Sequence, residues 1–248
     1  MNNYEERVDP ARKNTGIFKE HMATYNYSAQ YVHGKKVLDL GCGNGYGTHF
    51  LSSCAESVTG VDISKEAVQF SKEHFKAENL NYTVMDATKL EFDSGSFDCV
   101  VSFEVLEHVS DYEKMIGEAS RVLKEAGVLI LATPNGLYEN GRNPYHVKDF
   151  TDLELRALLQ KYFGKVEILG QSKSMRVKKL LEGNAFKRVM RIIDPLGFRN
   201  LLITEALRKK VYHLFGQFVE EDIRIEDFVV SKEETGKAEI LIARCEKQ

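Results

Sequence analysis

Val37-Leu38-Asp39-Leu40-Gly41-Cys42-Gly43-Asn44-Gly45-Tyr46-Gly47 decides the fold of this 248-residue chain. An apolar run ends in an acid, glycines then fall at every second position, and an amphipathic pattern follows. That is a buried strand turning sharply into a helix, across a backbone bare enough for a ligand to lie against it. A second acid, Asp62, closes another strand-like run at residues 57–61. An acid about 20 residues past the first glycine is placed to accept hydrogen bonds from ribose hydroxyls. The pattern predicts a nucleoside-containing ligand at the carboxyl ends of parallel strands.

The spacing argues against a dinucleotide. Gly-x-Gly-x-x-Gly fails from Gly41, because its third position is Tyr46, and from Gly43, because its third position is Thr48. The pattern is Asp-x-Gly-x-Gly-x-Gly, with an acid that would repel a pyrophosphate but suits an ammonium or sulfonium group. This resembles motif I of the class I S-adenosylmethionine (SAM) methyltransferases. The resemblance continues in order. Residues 82–87 read as a third strand ending in Asp86, which with Ala87 would meet the adenine. Residues 97–104 read as a fourth strand whose end, Phe103 and Glu104, faces the cofactor, and residues 121–130 as helix end, turn and fifth strand. The resemblance implies SAM as cofactor, held by Tyr25, Asp39, Gly41, Cys42, Gly43, Gly45, Asp62, Ile63, Asp86, Ala87, Phe103 and Glu104.

Strand and helix patterns alternate through residue 170, and residues 238–244 form a final strand. The resemblance implies a Rossmann-like α/β fold with a mostly parallel seven-stranded sheet, its last strand antiparallel between the fifth and sixth. Alternating units of this kind need cover on both faces of the sheet. Residues 1–33 are expected to be an N-terminal helical lid, with helical spacing over 10–33 and Tyr25 or His21 near the cofactor. Residues 34–170 and 237–248 form the core. Residues 171–236 are too long for an unstructured loop and read as a helical cap, with helices over 175–193 and 200–218 split by Asp194-Pro195-Leu196-Gly197. From 171 to 215 eleven basic residues face three acids, a local +8 in a chain of net charge −3. Such a segment is a solvated face, draws in an anionic acceptor, or lies on an anionic membrane surface.

At 43% hydrophobic and 29% charged, the chain can bury a full core as one domain with an elaboration. The net charge gives no reason to expect a stable nucleic-acid partner. The four cysteines form no Cys-x-x-Cys pair and read as reduced, buried residues. No signal peptide and no membrane-length apolar run is evident, so a cytoplasmic location is expected.

The chemistry is expected in two segments, Glu104-Val105-Leu106-Glu107-His108 and Asn143-Pro144-Tyr145-His146-Val147-Lys148-Asp149. A hydroxyl acceptor needs a base or a metal to remove its proton. Imidazole titrates near neutrality, so His146 is the first choice for that base and His108 the second, with Glu107 orienting either. If residues 104–108 are helical, Glu104, Glu107 and His108 share a face. With His146 they then resemble the metal set of the small-RNA 3′-terminal 2′-O-methyltransferases. The same Glu-x-x-Glu-His is widespread in SAM enzymes without metal, and no metal is expected here. The fuller resemblance, over roughly 15–170 and the last strand, is to bacterial methyltransferases of the type 11/12 group, those of polysaccharide and glycosyltransferase clusters above all. It implies O-methylation of a sugar, a glycan end or another small hydroxylated acceptor. Metal-assisted RNA methylation and a catalytically idle SAM-binding domain stay open as alternatives. One departure is Thr24, where the family's helix often carries Arg before the Tyr.

Overall fold

The computed structural model describes residues 15–138, 143–182, 223–232 and 235–247. Five strands run parallel: β1 (Lys36–Leu40), β2 (Ser57–Asp62), β3 (Leu80–Val84), β4 (Phe97–Phe103) and β5 (Leu123–Pro134). Then come β6 (Lys165–Lys173), β7 (Phe228–Ser231) and β8 (Ile240–Glu246), giving the order β3-β2-β1-β4-β5-β8-β6-β7. As expected, the last strand is antiparallel and lies between β5 and β6. Among the described residues the sheet has eight strands, not seven. Residues 228–231, inside the segment expected to be a helical cap, pair antiparallel with the far half of β6 and extend the edge. β6 itself runs to Lys173, three residues into the expected insertion.

The helices are α1 (Gly16–Val32), α2 (Tyr46–Ser52), α3 (Lys65–His74), α4 (Tyr112–Val122), α5 (Asp152–Leu159) and α6 (Met175–Glu182). Local chemistry sets their starts. Thr15, Ser64 and Thr151 each accept a backbone N–H three residues on, and Thr151 completes a capping box with Glu154. Only residues 175–182 of the two expected cap helices are described. The second, with the basic residues from Lys187 to Lys210, lies outside the described residues, as do residues 1–14 of the expected lid.

Alternation along β1 builds both cores. Leu38 and Leu40 face one side, with Val100, Met115, Ile116 and Leu155. Val37 faces the other, with Tyr25, Val32, Leu51 and Val101. The two-residue period also sends Asp39 to that second side, toward α1 and α2. The chain leaves β1 toward β2 and β3, then crosses back to β4 on the opposite flank. In open α/β sheets, ligands bind at the carboxyl ends of the strands where the order reverses in this way.

Candidate active site

A cavity of about 600 Å³ opens at that switch point. It is lined by Tyr25, Gly41, Cys42, Gly43, Asp62, Ile63, Asp86, Ala87, Phe103, Glu104, Glu107, His108 and His146, all singled out in the sequence. The structure thus brings ten of the twelve expected cofactor residues and both candidate histidines onto one cavity. Asp39 and Gly45 are not on its lining.

The glycines explain the loop. Gly41, Gly43 and Gly45 all have positive φ, of 84°, 51° and 77°, which a side chain disfavours. At Gly43 a Cβ would meet nothing within 4 Å, so this backbone faces open cavity. Its N–H donates to Asp62 Oδ2 at 2.9 Å, and Ser64 N–H donates to Oδ1 at 2.9 Å, fixing the carboxylate at the end of β2. Gly45 serves packing instead: a Cβ there would lie 2.5 Å from Ser71 Oγ.

Asp39 stands behind the loop, fully buried. It accepts hydrogen bonds from Thr48 Oγ1 at 2.7 Å and Tyr25 Oη at 3.2 Å. Burial pushes its pKa up to about 7, against the lowering effect of those two bonds. The acid therefore ties α1 and α2 to β1. His21 on α1 also lines the cavity, its Nδ1 3.1 Å from Tyr46 Oη, and burial lowers its pKa to about 4. Thr24, the departure from the family pattern, is turned away and donates to Gln171 Oε1 at 3.0 Å.

At the far wall, Asp86 accepts from the backbone N–H and hydroxyl of Thr88, at 2.8 and 2.9 Å, which hold its pKa below the usual carboxylate range. Ile63 is 70% exposed at the rim, an apolar side chain left open beside Asp62.

Glu104 differs from its expected conformation. Residues 104–108 are not a continuous helix: a single 3₁₀ turn covers Leu106–His108, and Glu104 precedes it with φ 56°. Non-glycine residues held in this region are strained and concentrate at functional sites. The turn lets Val105 lie over Gly41, where a Cβ would come within 2.3 Å of Val105 Cγ2. It also parts Glu104 from the other two residues. Among the described residues, Glu107, His108 and His146 have candidate ligand atoms within 4.8 Å of one another, and Glu104 is not in that group. Glu104 Oε1 is buried without a hydrogen-bond partner on the cavity wall. Burial, with the nearby charges of Glu107 and Glu20, raises its pKa well above the usual range.

Glu107 is buried beneath the histidines, and Thr133 Oγ1 donates to its Oε2 at 2.9 Å. Its backbone carbonyl accepts from Val147 N at 2.7 Å and Lys148 N at 3.3 Å, which fastens the 143–149 segment over the cavity. The imidazoles of His108 and His146 meet edge to face with centroids 4.9 Å apart. Sequence reasoning passed over Tyr46 and Thr48, and named Asn143 and Asp149 only as part of their segment, with no role of their own. Asp149, three residues from His146 and 2.6 Å from its Nδ1, was the most legible of them.

Residues 38–131 match a family described as a methyltransferase domain. Over these residues the chain carries a methyltransferase domain. A protein of Mycolicibacterium smegmatis described as "Probable S-adenosylmethionine-dependent methyltransferase" is 31% identical over 148 residues, 58% of this chain and 57% of that one. A ubiquinone biosynthesis O-methyltransferase of Coxiella burnetii is 38% identical over 104 residues, 41% of this chain and 44% of that one. The chain spans little more than half the length of the first relative. A SAM-dependent methyltransferase structure from Thermotoga maritima superposes with a TM-score of 0.61 at 14% identity, over 94% of this chain and 93% of that one. The YcgJ protein of Bacillus gives 0.58 at 18%, over 92% and 99%. These likenesses show the shared fold.

SAM is the cofactor of this domain, and the cavity fits it. Gly43 offers bare backbone, Asp62 a fixed carboxylate, Ile63 an apolar rim, and Glu104 a buried oxygen suited to a cationic group.

Proposed function

We propose that this chain methylates a hydroxyl of a small acceptor (a sugar, a glycan end or a similar hydroxylated molecule), with His146 as the general base. One observation carries the reading: the cofactor residues and the His108–His146 pair line the same cavity. Bound SAM supplies an electrophilic methyl group. The protein's task is then to hold the acceptor in line and receive its proton. His146 Nε2 takes the hydroxyl proton, His108 packs against its ring, and the buried Glu107 supports both from below. Asp62 and Gly43 hold the donor end, and Glu104 offers its oxygen to a cationic group. The relative named for ubiquinone biosynthesis, an O-methyltransferase, supports methylation at oxygen.

No helix among the described residues is long and apolar enough to cross a membrane, and all four cysteines are free. A cytoplasmic setting suits both. Of the basic insertion, Lys173 pairs with Glu20 and Glu239, and Arg176 with Asp227. Any attraction of an anionic acceptor or a membrane surface would therefore fall to the later residues of the insertion.

The test is incubation with SAM carrying a deuterated methyl group and a panel of sugars, phenols and amines, followed by mass spectrometry. A labelled ether product, reduced roughly 10²–10⁴-fold by His146→Gln, supports the reading. Product on amines alone, or none on any hydroxyl, would overturn it.

The convergence of Glu107, His108 and His146 favours a second reading, a divalent-ion site that acidifies the hydroxyl directly. Two imidazoles and one carboxylate suit Mn²⁺, Fe²⁺ or Zn²⁺. Turnover abolished by a chelator and restored by Mn²⁺ would select it over the base.

A further inference from the structure

His146 is bonded at both ring nitrogens. Nδ1 lies 2.6 Å from Asp149 Oδ1, and Nε2 lies 3.0 Å from Asn143 Nδ2. The amide of Asn143 is itself oriented, because the Tyr145 N–H donates to its Oδ1 at 3.1 Å. The amide nitrogen must therefore face the ring, and an amide nitrogen can only donate. Nε2 thus accepts, and a neutral imidazole then carries its proton on Nδ1 and gives it to Asp149. An imidazolium, with N–H groups on both nitrogens, would confront the Asn143 donor. The three contacts agree on one tautomer of a neutral ring.

From this we infer that Asp149 is a positioning residue. It holds His146 in the Nδ1–H tautomer, so that the lone pair of Nε2 is presented for proton transfer. Asn143 occupies that lone pair until an acceptor hydroxyl replaces it. The inference rests on the reading of His146 as base and adds what makes the ring one.

Asp149 is suited to this by its surroundings. Its neighbour Lys148 pairs with Glu154 instead, at 3.2 Å, and lies 5.0 Å from the Phe150 ring centroid. Gly136 lets the Asp149 backbone and side chain approach, since a Cβ there would come within 3.3 Å of both. The segment's register is set by the two bonds to the Glu107 carbonyl, and Asn135 bridges to Phe150 just beyond. The aspartate is thus tied to the turn that carries Glu107 and His108. In solution an imidazole side chain favours the Nε2–H form. Holding the other tautomer needs an acceptor fixed at Nδ1, and a hydrogen-bonded carboxylate serves that purpose.

The test is the ¹⁵N spectrum of the histidine rings in the full-length labelled chain, saturated with S-adenosylhomocysteine. The His146 signals are assigned by their loss in His146→Gln. The expected wild-type result is a protonated, pyrrole-type Nδ1 and a bare, pyridine-type Nε2. In Asp149→Ala the two should exchange character, with S-adenosylhomocysteine affinity held within about twofold as the check on folding. Asp149→Leu, of similar shape but with no acceptor, repeats the test should the alanine variant fail to fold. An Nε2–H signal in the wild type, or an unchanged tautomer in both Asp149 variants, overturns the inference. The spectra need no acceptor and no turnover. Failure here is therefore distinct from failure of the base reading, which would appear as undiminished turnover in His146→Gln.

Discussion

Asp39→Asn should change how stability depends on pH. Asp39 is completely buried, and burial raises its pKa from 3.8 to about 7. The folded state therefore holds the proton more tightly than the unfolded chain. This contribution is complete below the unfolded pKa and is lost as pH rises through the folded one. A shift of about 3 units at about 1.4 kcal/mol each is about 4 kcal/mol. Asparagine keeps an oxygen for Thr48 and Tyr25 but cannot ionise. The stability of the wild type relative to Asp39→Asn should thus fall by about 4 kcal/mol between pH 4 and 8. Glu20, raised to about 7, has the same sign. His21, lowered to about 4, has the opposite sign, its contribution present above the unfolded pKa and lost as pH falls. Both are present in each protein and cancel in the difference. The assay is urea unfolding of the cofactor-free proteins at half-unit pH steps. Stability curves that run parallel across the range would refute a protonated, buried Asp39.

Asp62→Ala should weaken S-adenosylhomocysteine binding by about 1.5–3 kcal/mol through loss of charge-assisted hydrogen bonds. Calorimetric titration checks this, and unchanged affinity would remove Asp62 from the ribose site. Gly47→Ala places a Cβ 2.0 Å from the Tyr25 ring. It should cost about 1–3 kcal/mol in overpacking, read as a lower urea midpoint with an unchanged slope. Thr133→Val removes the donor to the buried Glu107 Oε2 and should cost about 1–3 kcal/mol of stability; a neutral effect would mean that Glu107 is satisfied elsewhere.

The sequence was most legible where the signal is local. The run from Val37 to Gly47 carries its strand, turn and helix in consecutive residues, and its glycines adopt the positive φ that only their backbone takes easily. Asp62 and Asp86 follow strands whose apolar patterns mark their ends. What stayed hidden depends on contacts between distant segments. β7 is four residues long and exists because β6 presents an open edge. Glu104 misses the helical face it would share with Glu107 because Val105 must pass over Gly41, a contact across more than 60 residues of chain. Asn143 and Asp149 gain meaning only once Glu107 anchors their segment. Asp39 was assigned to the cofactor through the family resemblance. Its place in the pleat turns it toward Tyr25 and Thr48, behind the cavity lining.

The most direct measurement compares SAM affinity with turnover in His146→Gln, using the acceptor that gives the most labelled ether in the panel. The expected result is a SAM dissociation constant within about twofold of wild type and a kcat reduced roughly 10²–10⁴-fold. Undiminished kcat, or equal losses in affinity and turnover, would contradict a proton-accepting His146 and leave it a structural part of the cavity wall.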